Sequence, residues 1–388
     1  MKKIAIVTAT RAEYGLLSQV IKELRKFEND GLRVDLIVTG THLKEEYGYT
    51  IQEIERDGIR IDKKVDIPVK SETADDISNN LAAALIMFSK LFSERRYDAV
   101  ILLGDRYETL AFAIAAGNTH TPIFHIAGGD TTEGAIDEWI RHSISKMSYL
   151  HFTTNKESRR RVIQMGENPL RVFDYGSTSI DNILRIADMD LDEALEGLGL
   201  DSCKYAICTY HPVTMEEGTL DKQIHEFIEA LKSYPDIEFI ITKSNADQGG
   251  LRINNMLSDA EKNISNLHVF ASLGARRYLS LMKHAEFVIG NSSSGIIEAP
   301  TFHIPTVNIG DRQKGRLQTE SIINCKTDKG SIIDAIRLAL SQEMRDICAK
   351  VVSPYGDGTA AEKIAKKSVE IVLSENINLK KKFYDLEV

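Results

Sequence analysis

Two stretches of this chain repeat one local pattern: a short apolar run, a cluster of small and polar residues, then an amphipathic helix. In the first stretch the apolar runs are Ile4–Thr8, Leu32–Thr39, Asp98–Leu103 and Ile123–Ile126. Helical spacing fits Leu16–Phe27, Ile77–Phe92 and Glu108–Ala116. Runs this short, without polar alternation, suit strands buried on both faces of a parallel sheet. The pattern restarts at Tyr205–Thr209 and continues through Ile237–Thr242, Phe287–Ile289 and Ile304–Ile309, with a helix at Leu220–Leu231. The expected fold class is therefore α/β, with two doubly wound domains in series. The boundary is placed near residue 178, giving domains 1–178 and 179–358, with an acidic helical link at Asp188–Gly199. Two such sheets are expected to face each other across a cleft, a natural ligand site.

A length of 388 residues suits two or three domains. The net charge of −9 argues against a generally basic nucleic-acid or membrane-surface protein and leaves room for a local basic site. Cys203, Cys208, Cys325 and Cys348 include no CxxC pair, so neither a disulfide framework nor a thiolate zinc site is expected. The opening MKKIAIVTAT enters a strand pattern directly, and no run of 18 apolar residues occurs. These features together suit a cytoplasmic, reducing location.

Ligand-binding residues of doubly wound sheets lie just beyond the carboxyl ends of strands. The unusual polar clusters fall there. Thr8–Gly15 runs from a strand end into a helix, where backbone N–H groups favour anions and Arg11 can meet a phosphate. It matches neither GxxxxGK[ST] nor GxGxxG, and an ordinary turn with a solvated arginine is the alternative. Gly104-Asp105-Arg106 follows a strongly apolar strand; Asp105 there is either a tunable acid or the N-cap of the next helix.

The segment His125–His142 gathers Asp130, Asp137 and Glu138 behind the flexible pair Gly128-Gly129. His125, inside an apolar run, reads as a satisfied core histidine rather than a metal ligand, and no HExxH spacing is present. Arg141 lies four residues after Asp137, which allows a helical ion pair. His211, after another strand, suits proton transfer or an anion contact, or is a loop histidine fixed by Pro212. Ser292–Ser294 open a helix whose N–H groups can hold a diphosphate, and Glu298 sits one turn further on, within reach of ribose hydroxyls. A serine N-cap with a capping-box acid is the alternative. Arg312, Lys314 and Arg316 add cations, as a ligand site or a solvated face. Together the clusters describe an anion-binding C-terminal domain and an acid-rich N-terminal domain, a layout suited to a sugar nucleotide.

TRAEYGLL (10–17), GDRYE (104–108), HIAGGDTTEGAIDEWIRHSISKMS (125–148), SNAD (244–247), GNSSSGIIEAP (290–300), NIGDRQKGR (308–316) and SPYGDGTAAEKI (353–364) resemble the hydrolysing UDP-N-acetylglucosamine 2-epimerases. The resemblance spans nearly the whole chain. It implies a glycosyltransferase-B-like fold of two Rossmann-like domains, the nucleotide on the second, and a final helix at 359–373 crossing back to the first. It implies elimination of UDP across C1–C2 to a 2-acetamidoglucal, then hydration to N-acetylmannosamine, for sialic acid biosynthesis. No NAD or catalytic metal is implied; a homodimer or homotetramer is.

On that basis Asp105, Asp130 and Asp137 are expected to move protons, with Glu138 in reserve. Arg11, His211, Ser293, Ser294 and Arg316 are expected at the departing diphosphate, and Glu298 at the ribose. Asn245 as a ligand contact is implied by the resemblance alone. Relatives often read His-x-His-Gly-Gly-Glu where this chain has His125-Ile126-Ala127-Gly128-Gly129-Asp130. Both changes reshape the sugar pocket, and the small, apolar Ala127 suits a near relative's substrate, UDP-2,4-diacetamido-2,4,6-trideoxyglucose, of the legionaminic acid route, which stands as the alternative to UDP-N-acetylglucosamine. A glycosyltransferase and a nucleotide-sugar sensor are the readings from other classes.

Overall fold

Alternate residues of β1 (Lys2–Thr8) explain why its sequence is apolar throughout: Ile4 and Ile6 enter one hydrophobic core, Ala5 and Val7 another. The strand lies at the middle of a sheet covered on both sides. This computed structural model describes all residues except 48, 71–72, 132–135, 201–203, 212–219, 244–249, 315, 375–376 and 387–388. The chain forms two compact units, residues 1–182 with 355–388, and residues 183–354.

In the first unit β1 is joined by β2 (Leu32–Thr39), β3 (Lys63–Val65), β4 (Ala99–Leu103), β5 (Ile123–Ile126), β6 (Leu150–Thr153) and β7 (Val172–Asp174). All pair in parallel, in the order β3-β2-β1-β4-β5-β6-β7. The helices are α1 (Arg11–Arg25), α2 (Ile51–Arg56), α3 (Ala74–Arg95), α4 (Tyr107–Asn118), α5 (Ile136–Met147), α6 (Lys156–Gln164) and α7 (Thr178–Ile186), along which the chain leaves the unit. The α1 helix begins at Arg11, ahead of the apolar periodicity that suggested Leu16. Thr10 and Glu13 form a reciprocal capping box, so side-chain hydrogen bonds rather than burial set the start.

The second unit holds β8 (Tyr205–Thr209), β9 (Glu238–Thr242), β10 (Leu267–Phe270), β11 (Phe287–Gly290), β12 (Thr306–Ile309) and β13 (Ile322–Cys325). These are also parallel, ordered β10-β9-β8-β11-β12-β13. Its helices are α8 (Leu191–Leu195), α9 (Leu220–Leu231), α10 (Gly250–Glu261), α11 (Gly274–His284), α12 (Ser294–Ile297), α13 (Lys329–Ala339) and α14 (Gln342–Cys348). Phe227 of α9 and Ile336 of α13 share one core with Cys208 and Phe239. Leu281 and Met282 of α11 pack with Tyr205 and Ile207 on the opposite face. The final helix, α15 (Ala360–Ser374), belongs to the first unit, where Ile364 and Val372 share the core of α1. Among the described residues no helix is long and apolar enough to cross a membrane.

Each sheet reverses its winding once, between β1 and β4 and between β8 and β11. Crevices open at such reversals, beyond the carboxyl ends of the strands. Thr8–Arg11 and Gly104–Arg106 flank the first reversal; Tyr210–His211 and Gly290–Ser294 flank the second.

Candidate active site

At the end of β4, Gly104 turns the chain with a φ of +78°, and its carbonyl accepts a hydrogen bond from His125 Nε2 at 2.8 Å. His125 is fully buried, and burial pushes its pKa down to about 3, so the ring is neutral. With Nε2 protonated, Nδ1 accepts from the Ser145 hydroxyl at 3.2 Å. Both ring nitrogens are thus engaged within the protein, as the core-histidine reading expects. Gly128 is required beside them: a Cβ there would stand 2.7 Å from Ser145 Oγ and 2.9 Å from His125 Nδ1.

Asp105 is not the cap of α4; the cap position is Arg106, which makes no side-chain capping bond. The Asp105 carboxylate instead pairs with the guanidinium of Arg141, a buried side chain of α5. The same guanidinium donates to the Asp130 carbonyl at 2.7 Å and to Glu138 Oε2 at 3.3 Å. Glu138 Oε1 is 3.0 Å from His142 Nε2. Asp130 is anchored through Oδ1, which accepts from Thr154 Oγ1 at 2.6 Å and Ser158 Oγ at 2.5 Å. Asp137 is exposed in the first turn of α5 and makes no ion pair among the described residues. The helical pair anticipated between Asp137 and Arg141 is replaced by Arg141–Glu138 and the longer-range Arg141–Asp105 contact. A buried cation able to reach both neighbouring elements is drawn to the carboxylates it desolvates with, not to an exposed one.

Arg11 is exposed at the first position of α1, and its Nε lies 3.0 Å from Glu53 Oε2 of α2. An exposed pair of this kind is weak, about 0–1 kcal/mol, and does not commit Arg11 to Glu53. Two residues further along α1 is Glu13, a buried carboxyl that the motif reading passed over. Burial, reinforced by the Glu108 carboxylate, raises its pKa to about 7 against the opposing Ala9 and Thr10 amides and Arg106.

In the second unit, Gly290 has a φ of +136°, and a Cβ there would fall 2.0 Å from the Thr209 carbonyl oxygen. That close approach brings Asn291 against His211. Asn291 Oδ1 accepts from the His211 amide at 2.7 Å, and Nδ2 donates to the His211 carbonyl at 2.8 Å. The Asn291 carbonyl accepts from Arg312 Nη1 at 3.0 Å and Gln313 Nε2 at 2.8 Å. One buried asparagine therefore fastens three of the clusters together.

The helix after Asn291 is a single turn, α12, so the expected helix dipole is small. Ser293 occupies its cap position without a side-chain capping bond, leaving its hydroxyl uncommitted to the helix. Glu298 directly follows α12, and its backbone N–H donates to the Ser294 carbonyl at 2.9 Å. Burial pushes the Tyr278 pKa up to about 12 and also raises that of Glu298. Arg316 is exposed beyond β12, beside a cavity of ≈ 450 Å³ also lined by Lys314, Lys326 and Asn324. Asn245 lies outside the described residues. Among the described residues no group of three or more His, Cys, Asp or Glu side chains is placed to hold a metal ion.

Within each unit, sequence-expected residues from separate motifs converge: Asp105 and Asp130 around Arg141, and His211 with the serine loop through Asn291. Arg141 is the addition the motif reading missed as a site member. It was visible only as a helix neighbour of Asp137.

The sequence model of the family described as UDP-N-acetylglucosamine 2-epimerase matches residues 24–368. A GDP/UDP-N,N'-diacetylbacillosamine 2-epimerase (hydrolyzing) of Campylobacter jejuni is 40% identical over 99% of both chains. Polysialic acid biosynthesis protein P7 of Escherichia coli is 36% identical over 100% of this chain and 98% of its own. A UDP-N-acetylglucosamine 2-epimerase of Neisseria meningitidis is 31% identical over 100% of both. Among solved structures, UDP-GlcNAc 2-epimerase from Neisseria meningitidis bound to UDP-GlcNAc has a TM-score of 0.78 at 20% identity, covering 95% of this chain and 100% of that one. The Methanocaldococcus jannaschii UDP-GlcNAc 2-epimerase has a TM-score of 0.77 at 19% identity, covering 95% and 99%. These structures share the fold, a pair of Rossmann-like domains of glycosyltransferase-B-like type. The family match over most of the chain and the level of identity to the enzymes of Campylobacter and Neisseria make the conclusion direct: the chain belongs to the UDP-N-acetylglucosamine 2-epimerase family, among its hydrolysing 2-epimerases.

Proposed function

We propose that the chain converts a UDP-activated 2-acetamido sugar into its free 2-epimer and UDP. A base removes the proton from C2, the C1–O bond breaks, and the electron pair forms a C1=C2 double bond as UDP leaves. Water then adds: hydroxide to C1, a proton to C2 from the face that inverts it. The observation that carries the reading is Arg141, which draws Asp105, Glu138 and the Asp130 carbonyl together at the end of the sheet. Abstracting a weakly acidic C–H proton and later returning one calls for several positioned acids, whereas simple glycosyl transfer does not.

In this reading Asp105, Asp130 and Asp137 share the proton transfers. His211 serves the departing oxygen, and Arg11, Ser293, Ser294 and Arg316 the diphosphate. Glu298 holds the ribose hydroxyls, and Asn245 makes a further ligand contact. For the sugar we favour UDP-2,4-diacetamido-2,4,6-trideoxyglucose. The Campylobacter jejuni relative named for diacetylbacillosamine, at 40% identity, supports this choice. So does Ala127, a small residue held at a φ of +64° between His125 and Gly128. UDP-N-acetylglucosamine is the second reading, supported by the Neisseria meningitidis relative at 31% identity.

Proton NMR in D2O with each UDP sugar in turn is the test. The expected result is UDP together with a free 2-epimer carrying deuterium at C2, and a higher kcat/KM for the diacetamido sugar. UDP release that depends on an added acceptor would instead establish a transferase. A higher kcat/KM for UDP-N-acetylglucosamine would reverse the choice of sugar.

A further inference from the structure

Beyond α15 the chain runs through residues 377–386 without helix or strand, yet it stays with the first unit. Lys381 is its anchor. The Lys381 ammonium donates to the carbonyls of Lys146 and Ser148, each at 2.8 Å, and to the Glu167 oxygens at 2.9 and 2.8 Å. The Phe383 ring covers Gly166, where a Cβ would stand 2.4 Å from it, and the Tyr384 amide donates to the Gly166 carbonyl at 3.0 Å. The Lys146 ammonium lies 4.6 Å from the centre of the Phe383 ring and reaches Glu167 at 2.8 Å.

The two carbonyls that Lys381 caps stand at the end of α5. A helix ends in carbonyls that lack intrahelical partners. Ser148 satisfies two of them in α5: its amide donates to Ser145 at 3.1 Å and its hydroxyl to Ile144 at 2.7 Å. Lys381 supplies the donor for Lys146, and its charge meets the negative end of the helix dipole. The same helix carries Arg141, about 8 Å along the axis from Lys146. A small slide or turn of α5 would part the guanidinium from Asp105 and from the Asp130 carbonyl, which lie on other segments.

We propose that Lys381 is a positioning residue: the C-terminal segment locks the far end of α5, and α5 in turn holds Arg141 against its partners. Ile140 and Ile144 bind α5 to the core below, but apolar contacts are not directional and do not fix the helix along its axis. The ammonium is the directional contact. Among the described residues the Lys381 side chain bonds only to Lys146, Ser148 and Glu167, so its effect on the reaction runs through the helix. The turnover assay rests on the hydrolysing reading above.

The test is a double-variant cycle on the full chain. Lys381→Met is made in the wild-type and Arg141→Ala backgrounds, and kcat, KM and UDP affinity are measured well below melting. In wild type, Lys381→Met is expected to lower kcat about tenfold and to keep KM and UDP affinity within about twofold. In Arg141→Ala it is expected to lower kcat less than about twofold, because no guanidinium remains to be positioned. Lys381→Gln, which keeps an N–H for one carbonyl, should show the same pattern at smaller size. Ile364→Ala opens a cavity in the core of α1, so it should lower the melting temperature and leave kcat unchanged. Trp139, the sole tryptophan, stands on α5 two residues before Arg141 and reports on the helix without turnover. In protein labelled with fluorotryptophan, its fluorine NMR signal is expected to shift or broaden in Lys381→Met and to match wild type in Ile364→Ala. Equal falls in kcat in the two backgrounds, a wild-type kcat in Lys381→Met, or an unmoved fluorine signal would each overturn the proposal. A moved signal in a protein that turns over no UDP sugar would support the hold on α5 and reject the reaction assigned above.

Discussion

Asn291 holds His211 by the main chain on both sides, accepting its N–H at 2.7 Å and donating to its carbonyl at 2.8 Å, across 80 residues of sequence. The amide side chain serves as one rung of a β-ladder where β8 and β11 have ended. Its own carbonyl carries Arg312 and Gln313, so the histidine, the serine loop and the basic loop are positioned through one buried group.

Asn291→Ala is expected to cost about 2–4 kcal/mol, since it strands a buried N–H and a buried carbonyl. UDP affinity should fall with it, because His211 and the serine loop lose their common anchor. Asn291→Asp keeps the acceptor and loses the donor, so its effect should be intermediate. Urea unfolding and UDP calorimetry check both. An Asn291→Ala protein of unchanged stability would show that the clamp is energetically idle.

Arg141→Ala removes a buried cation from two carboxylates and a carbonyl. A loss of about 2–4 kcal/mol is expected, toward the low end because Asp105 retains some contact with water. Turnover should fall far more than UDP affinity, since the UDP-binding residues assigned above lie mostly on the other unit. Arg141→Lys should fare little better in turnover, because a point charge cannot reproduce a fork that serves three acceptors. Turnover close to wild type in Arg141→Ala would remove the main support for the proposed site.

Asp105→Asn should lower kcat by about 10²–10⁴, the range of a positioned proton-transfer group, while the folded protein and its UDP affinity persist. The same variant should suppress deuterium entry at C2 from D2O. Isotope exchange at the wild-type rate without net turnover would instead place Asp105 in the hydration half of the reaction.

Glu167 anchors the C-terminal segment, receiving Lys381 Nζ at 2.8 Å, Lys146 Nζ at 2.8 Å and His151 Nε2 at 3.2 Å. Burial alone would raise its pKa, but the bonds from His151, Lys146 and Lys381 outweigh it and pull the value down to about 2. A carboxyl depressed in the folded state adds stability that is full above its unfolded pKa, near 4.5, and disappears as pH falls through about 2. Lys381→Met should therefore lower the melting temperature at pH 7 and differ less from wild type near pH 3. A deficit that is constant with pH would assign the effect of Lys381 to packing.

The strands legible in the sequence were those whose two faces both enter a core, such as Ile4–Val7 and Ala99–Leu103. Five others, Lys63–Val65, Leu150–Thr153, Val172–Asp174, Leu267–Phe270 and Ile322–Cys325, were not read. They are three or four residues long, and most carry polar side chains. His151 and Asn324 are examples: a hydrogen bond to Glu167 makes one tolerable in the core, and bonds to Asn308 and Gln318 satisfy the other. Nothing local announces such partners.

By itself the sequence determined the fold class and the identity of the polar clusters. Apolar runs of strand length are a local signal, and small or acidic residues must follow them wherever a chain turns sharply beside a ligand site. The tertiary structure decided which clusters meet. Parallel winding places β4 beside β1 and β11 beside β8, joining residues about 80–100 positions apart in the chain. It also decided the partner of Arg141. A helix-spacing rule offers Asp137, but burial leaves the guanidinium no water, and it takes the carboxylates that close around it at Asp105 and Glu138. Protonation followed the same cause: Glu13 and His125 differ from their exposed counterparts through the loss of solvent around them, a property of packing that no stretch of sequence contains.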